Sequence, residues 1–167
     1  MKRICVLIGL LMFVWCLGCG KKLPEGMPPL QSCTLIMLQD GKPVDDVLVR
    51  LYPMDKSLSK WTVGAISQKN GEAVLKTLGQ YNGAPAGKYK VTAMKTLIQD
   101  VEGAKLTEEQ KAEGIGVPQK KTIYVNPKYE FENTTDLVVE IYEGTNREEI
   151  DLGAPMKKEE AYNPNKF

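Results

Sequence analysis

The chain has 167 residues, with 22 Lys and Arg against 21 Asp and Glu, and no histidine. Lack of histidine removes the commonest general base and the commonest transition-metal ligand, which excludes Ser-His-Asp and Cys-His mechanisms and any histidine-held zinc. The near-neutral balance supplies no basic field for a phosphate backbone, so nucleic acid is not an expected partner, and no residue spacing calls for a cofactor.

A basic start, Lys2-Arg3, leads into the apolar run Ile4–Leu17. Its length suits the apolar centre of a secretory signal and falls short of the roughly 20 residues that span a bilayer as a helix. The following Gly18-Cys19-Gly20 resembles the bacterial lipobox, where a signal peptidase cuts before a cysteine thioether-linked to diacylglycerol. Residues 1–18 are therefore expected to be removed and Cys19 to be the lipid attachment point, with the membrane as first partner. Gly20, in place of the Asp that often retains lipoproteins at an inner membrane, implies the outer membrane or cell surface.

Removal of residues 1–18, which carry Lys2 and Arg3 and no acid, leaves 149 residues and takes the net charge from +1 to −1. That length suits one domain. Cys5 and Cys16 depart with the signal and Cys19 carries lipid, so Cys33 has no partner for an intramolecular disulfide. In the run Ser32–Leu38 it reads as a small buried hydrophobe.

Residues 19–31 hold three prolines and two glycines and read as an extended tether. Residues 32–153 read as a sandwich domain. Cys33–Leu38 is the first strand, followed by a turn at Asp40–Pro43 and a strand at Val47–Tyr52 in which Val47, Val49 and Leu51 face the core while Leu48, Arg50 and Tyr52 face away. Trp61–Ser67 and Glu72–Thr77 flank Asn70-Gly71, a hairpin signal of type I′. In Lys88–Met94, Tyr89, Val91 and Ala93 face in. Residues 104–113 carry a capping box at Thr107–Gln110 and suggest one short helical insertion. Strand patterns return at Lys121–Val125, Asp136–Tyr142 and Arg147–Leu152, the last two reading as a second hairpin through Glu143–Asn146. Residues 154–167 lack period and apolar density and read as a disordered tail. The expected fold is all-β, a single antiparallel β-sandwich of seven or eight strands with that one helical insertion.

Three segments carry a resemblance: Gly41-Lys42-Pro43-Val44-Asp45-Asp46-Val47-Leu48-Val49, Asn70-Gly71-Glu72-Ala73, and Pro85-Ala86-Gly87-Lys88-Tyr89-Lys90-Val91. In this order they resemble the carboxypeptidase regulatory-like modules of the transthyretin-like (prealbumin-like) β-sandwiches, over roughly residues 33–95. The resemblance implies a sandwich fold and says almost nothing of function. Peptidase and hydroxyisourate hydrolase activities elsewhere among such proteins depend on histidines that this chain lacks.

Asp40, Asp45 and Asp46 surround one turn, where Ca²⁺ is conceivable but a turn former and two solvated acids suffice. Glu108-Glu109, Glu148-Glu149 and Glu159-Glu160 are adjacent pairs whose side chains diverge, unlike the facing carboxyls of glycosidase chemistry. Trp61, Tyr52 and Tyr81 are the candidate ligand-binding residues, as a platform for a sugar ring or peptide; the competing reading for Trp61 is sandwich packing. The expectation is a non-catalytic, lipid-anchored structural or protein-interaction module at the cell envelope. The alternative is an accessory lipoprotein that binds carbohydrate or peptide.

Overall fold

Period-two alternation decides which face each strand buries. The computed structural model describes residues 22–112, 114 and 116–162, so the expected signal and Cys19 lie outside the described residues. β1 (Leu30–Gln39) buries Cys33, Leu35 and Met37; β2 (Lys42–Pro43) follows, and β3 (Leu48–Pro53) buries Val49 and Leu51. β4 (Val63–Ile66), β5 (Glu72–Val74), β6 (Lys76–Thr77), β7 (Tyr81–Asn82) and β8 (Ala84–Pro85) are short. β9 (Gly87–Met94) buries Tyr89, Val91 and Ala93 as expected, then come β10 (Thr96–Asp100) and one helix, α1 (Glu108–Ala112), beginning just after Thr107. β11 (Gln119–Ile123), β12 (Val138–Ile141), β13 (Thr145–Asp151) and β14 (Lys158–Tyr162) complete the chain.

The fold is all-β, with two principal sheets consistent with a β-sandwich and a third, smaller sheet. In one principal sheet β1 is central, with β13 on one side and β5 and β2 along the other. The second runs β12-β9-β3-β4-β6-β7. A continuous core joins side chains of both, among them Leu35, Met37, Val49, Tyr89, Val91 and Ile141. Among the described residues no fully buried side-chain nitrogen or oxygen lacks a hydrogen-bond partner.

Several expectations need correction. β13 pairs with β1 in parallel, from Ser32 opposite Thr145 to Leu38 opposite Asp151, so the sandwich is antiparallel except along this ladder. β12 and β13 are not a hairpin. β12 pairs with β9 in one sheet and β13 with β1 in the other, and Asn146 holds the crossing: its Oδ1 accepts the Tyr142 N–H (2.9 Å) while its Nδ2 donates to the Tyr142 carbonyl (2.8 Å). The Asn70-Gly71 turn also switches sheets, delivering β4 to one and β5 to the other, and is closed at Gln68, whose N–H donates to Glu72 O and whose carbonyl accepts from Gly71 N–H. It is not a type I′ turn either: Gly71 takes φ +77°, whereas Asn70 keeps negative φ and uses Oδ1 to accept the Glu72 N–H. A Cβ at Gly71 would stand 2.7 Å from the Met37 carbonyl oxygen, so glycine is required by contact as well as by φ.

The tether expected over 19–31 ends earlier, because Leu30 and Gln31 belong to β1 and pair with β8. The tail is not a disordered segment as far as Tyr162. β14 pairs antiparallel with β11, which pairs with β10, forming the third sheet. Its polarity misled the sequence reading; backbone ladder bonds need no apolar side chain, and Glu159 approaches Lys120 of β11 (3.7 Å) as well as Lys157 (2.9 Å). The strand number exceeds seven or eight because of this sheet and the two-residue pieces β2, β6, β7 and β8.

Cys33 is 2% exposed, and burial, aided by the nearby Glu148 carboxylate, pushes its thiol up to about 11; burial likewise pushes Tyr89 up to about 12, its hydroxyl donating to the Pro85 carbonyl at 2.8 Å. Both groups are acids held neutral in the folded chain. Their contribution to stability is complete below the unfolded pKa values of 9.0 and 10.0 and declines as pH rises toward the folded values. The melting temperature should therefore fall from about pH 9 upward, and Cys33→Ala should flatten the lower part of that fall. A profile identical in parent and variant between pH 9 and 11 would contradict this assignment.

Candidate functional site: a groove on the outer sheet face

Where β3, β4 and β6 lie side by side, their outward residues form rows across the sheet. Arg50 stands opposite Gly64, and Gly64 opposite Lys76. Gly64 contributes no side chain, and none would fit, since a Cβ there would lie 2.7 Å from the Val49 carbonyl oxygen of the neighbouring strand. The row therefore has a bare floor between two cationic side chains. In the adjoining row Leu48 pairs with Ile66, whose side chain is 61% exposed. Toward the other end the walls are Tyr52 and Trp61, with Glu132 on the rim, and the groove encloses about 700 Å³. That volume falls within the range of small-ligand sites.

Among the described residues no carboxylate lies within salt-bridge distance of Arg50 or Lys76. Lys90, on the outward side of β9 opposite Tyr52, donates to the Glu132 backbone carbonyl at 2.9 Å. Lys60 places its ammonium 4.7 Å from the centre of the Trp61 ring. The incoming tether passes here as well: a Cβ on Gly26 would be 3.8 Å from that same Lys60 Nζ.

Of the three aromatic candidates, two meet in the groove. Tyr52 is half-buried on its wall; Trp61, at 8% exposure, is largely buried there and is not among the side chains of the continuous core. Tyr81 does not join them. It pairs with Thr77, which is buried on the inner side, so strand parity turns Tyr81 away from the face that bears Lys76. Sequence reasoning put Arg50 on the outward face with Tyr52 but missed Lys76 and Gly64, because their positions depend on which short strands pair beyond β4.

The chain matches no family model, no curated protein and no solved structure. Geometry must carry the interpretation of the groove.

The acidic candidates have local roles. Asp45 accepts from Lys95 at 2.6 Å, and this hydrogen bond, with the lysine's charge, holds its carboxyl below the usual range. Asp40 and Asp46 occupy positive-φ turn positions. Glu159 and Glu160 pair with Lys157 and Lys158. Among the described residues no group of three or more acids or cysteines is placed to hold a metal ion.

β3 is paired on both sides and β4 is paired with β6 over Val63 and Gly64, so most of their backbone donors and acceptors serve the sheet. Recognition at this face falls to side chains, through charge from Arg50 and Lys76 and ring contact from Tyr52.

Proposed function

We propose that this chain is a non-catalytic binding module held at the cell envelope by a lipidated Cys19, and that the outer-face groove is where it binds. The observation that carries the reading is the meeting of Tyr52 and Trp61, over a bare sheet floor, with two cations that have no carboxylate partner among the described residues. The same proposal includes membership among carboxypeptidase regulatory-like, transthyretin-like sandwiches. It is supported by the placement of the three motif segments at β2–β3, at the sheet-switching turn before β5, and at β8–β9.

Anchoring rests on Lys2-Arg3, the apolar run and Gly18-Cys19-Gly20. Two or three acyl chains give durable attachment where one is marginal. Cys19→Ser should move the protein from the membrane fraction to the soluble one; an unchanged distribution would remove the lipoprotein reading. Among the described residues no helix is long and apolar enough to cross a membrane.

Trp61→Ala is a poor probe of binding, because truncating a tryptophan this buried costs about 3–5 kcal/mol of stability. Tyr52→Ala and Ile66→Ser are better probes. Either should weaken ligand capture while leaving the melting temperature within a few degrees of the parent.

A further inference from the structure

Resting on the groove as binding site, we propose that its ligand is an anionic polysaccharide, recognised through sugar carboxylates or sulfates. Three observations lead to this class. Arg50 and Lys76 flank the Gly64 floor with no carboxylate partner among the described residues, so a ligand anion would complete two charges that those residues leave open. The guanidinium offers a planar fork matched to a carboxylate or sulfate, and the ammonium a second donor set on the other side of the floor.

The face also offers little free backbone ladder, since β3 is paired on both sides and β4 is paired with β6 over Val63 and Gly64. An extended acidic peptide gains much of its affinity by adding a strand to a sheet edge, and β3 and β4 are interior strands. A sugar ring needs no such ladder. It needs a flat floor, an aromatic wall and fixed donors, and here Gly64, half-buried Tyr52 and the two cations supply them. The lining runs from Ile66 to Ser59 and Pro53.

On the rest of this face the charges balance, so its excess of cations is the Arg50–Lys76 pair itself. Lys88 and Lys90 lie outward on β9, against Glu140 opposite Lys88 and Glu132 on the rim. Glu132 is the acid that lines the groove, and it sits at the Tyr52 end. Seven residues separate Cys19 from Gly26, a span of at most about 25 Å fully extended. Gly26, and Lys60 beside it, would therefore stay close to the lipid anchor.

The test uses the full lipidated chain reconstituted in phosphatidylcholine vesicles, with fluorescent polygalacturonate, dextran sulfate and neutral dextran as probes. Polygalacturonate or dextran sulfate should co-sediment with the vesicles and be released as NaCl rises to 0.5 M, while neutral dextran stays in solution. The stronger of the two anionic polymers names the group as carboxylate or sulfate. Arg50→Gln and Lys76→Gln should each weaken that binding about tenfold, with Lys42→Gln, on the other sheet, as the unchanged control.

Equal binding of neutral dextran, or equal losses from Lys42→Gln and Arg50→Gln, overturns the proposal. So does preferential binding of poly-glutamate, or of protein-free vesicles containing phosphatidylglycerol; these would reassign the cations to an acidic peptide or to lipid headgroups. Binding of a neutral glycan that is lost on Tyr52→Ala would refute the anionic class while leaving the groove as a binding site. Absence of any groove-dependent binding would remove both.

Discussion

Val49→Asp should leave the domain unfolded at 25 °C, with the loss of near-ultraviolet circular dichroism and of the cooperative melt. Val49 is fully buried on the inner face of β3, between β4 and β9, in a core that holds its thiol unpaired at Cys33. An isolated carboxylate there costs several kcal/mol even after its pKa rises, against a net stability of about 5–15 kcal/mol for a typical domain. Lys42→Gln, at an exposed position of β2, is the comparison, expected to change stability by no more than about 0.5 kcal/mol. A parent-like melt for Val49→Asp would mean that the inner face of β3 has been misassigned, and with it the outward placement of Arg50 and Tyr52.

Asn146→Ala should lower stability by about 2–3 kcal/mol and the melting temperature by roughly 10 °C. Its amide grips both backbone groups of Tyr142, and Nδ2 also reaches the Gly144 and Ser32 carbonyls at 3.4 Å. Those bonds close the arch by which the chain leaves the groove-bearing sheet and enters beside β1. Alanine cannot replace them, and solvent reaches the arch only in part, Asn146 being 7% exposed. Asn146→Asp keeps the acceptor but loses every bond donated by Nδ2 and sets a carboxylate against those three carbonyl oxygens, so at neutral pH it should destabilise at least as much as alanine. Glu149→Gln, on the exposed side of β13, should melt with the parent. A loss below about 0.5 kcal/mol for Asn146→Ala would show that the ladder between β1 and β13 holds the arch without it.

The inward residues were legible because alternation is a local signal. Val47, Val49 and Leu51, and then Tyr89, Val91 and Ala93, are all buried as their spacing implies. Strand partnership was not legible. Asn70-Gly71 and Glu143–Asn146 carry the turn residues of hairpins, yet both pass the chain between sheets, because neighbours distant in sequence, β1 for β5 and β13 and β9 for β12, claim the ladder bonds. β14 escaped notice for a related reason. Its side chains are polar and mostly exposed, and only the presence of β11, some forty residues earlier, makes it a strand.

The candidate site followed the same division. Outward placement of Arg50 and Tyr52 came from the period of β3 alone. Addition of Lys76 and Gly64 required the register across β3, β4 and β6, and exclusion of Tyr81 required its pairing with Thr77. A glycine in a strand pattern was the available clue to a bare floor, since such positions often mark close backbone approach.

The groove as the working face can be measured without knowing the ligand, by hydroxyl-radical footprinting of intact envelopes against the same chain purified in detergent. Tyr52 and Ile66 report on the groove, while Val74 on β5 and Tyr142 at the arch report on surfaces away from it. The account predicts that Tyr52 and Ile66 are labelled several-fold less in the envelope than in detergent, with Val74 and Tyr142 labelled alike in both. Protection at Val74 or Tyr142 with Tyr52 and Ile66 unchanged would contradict it.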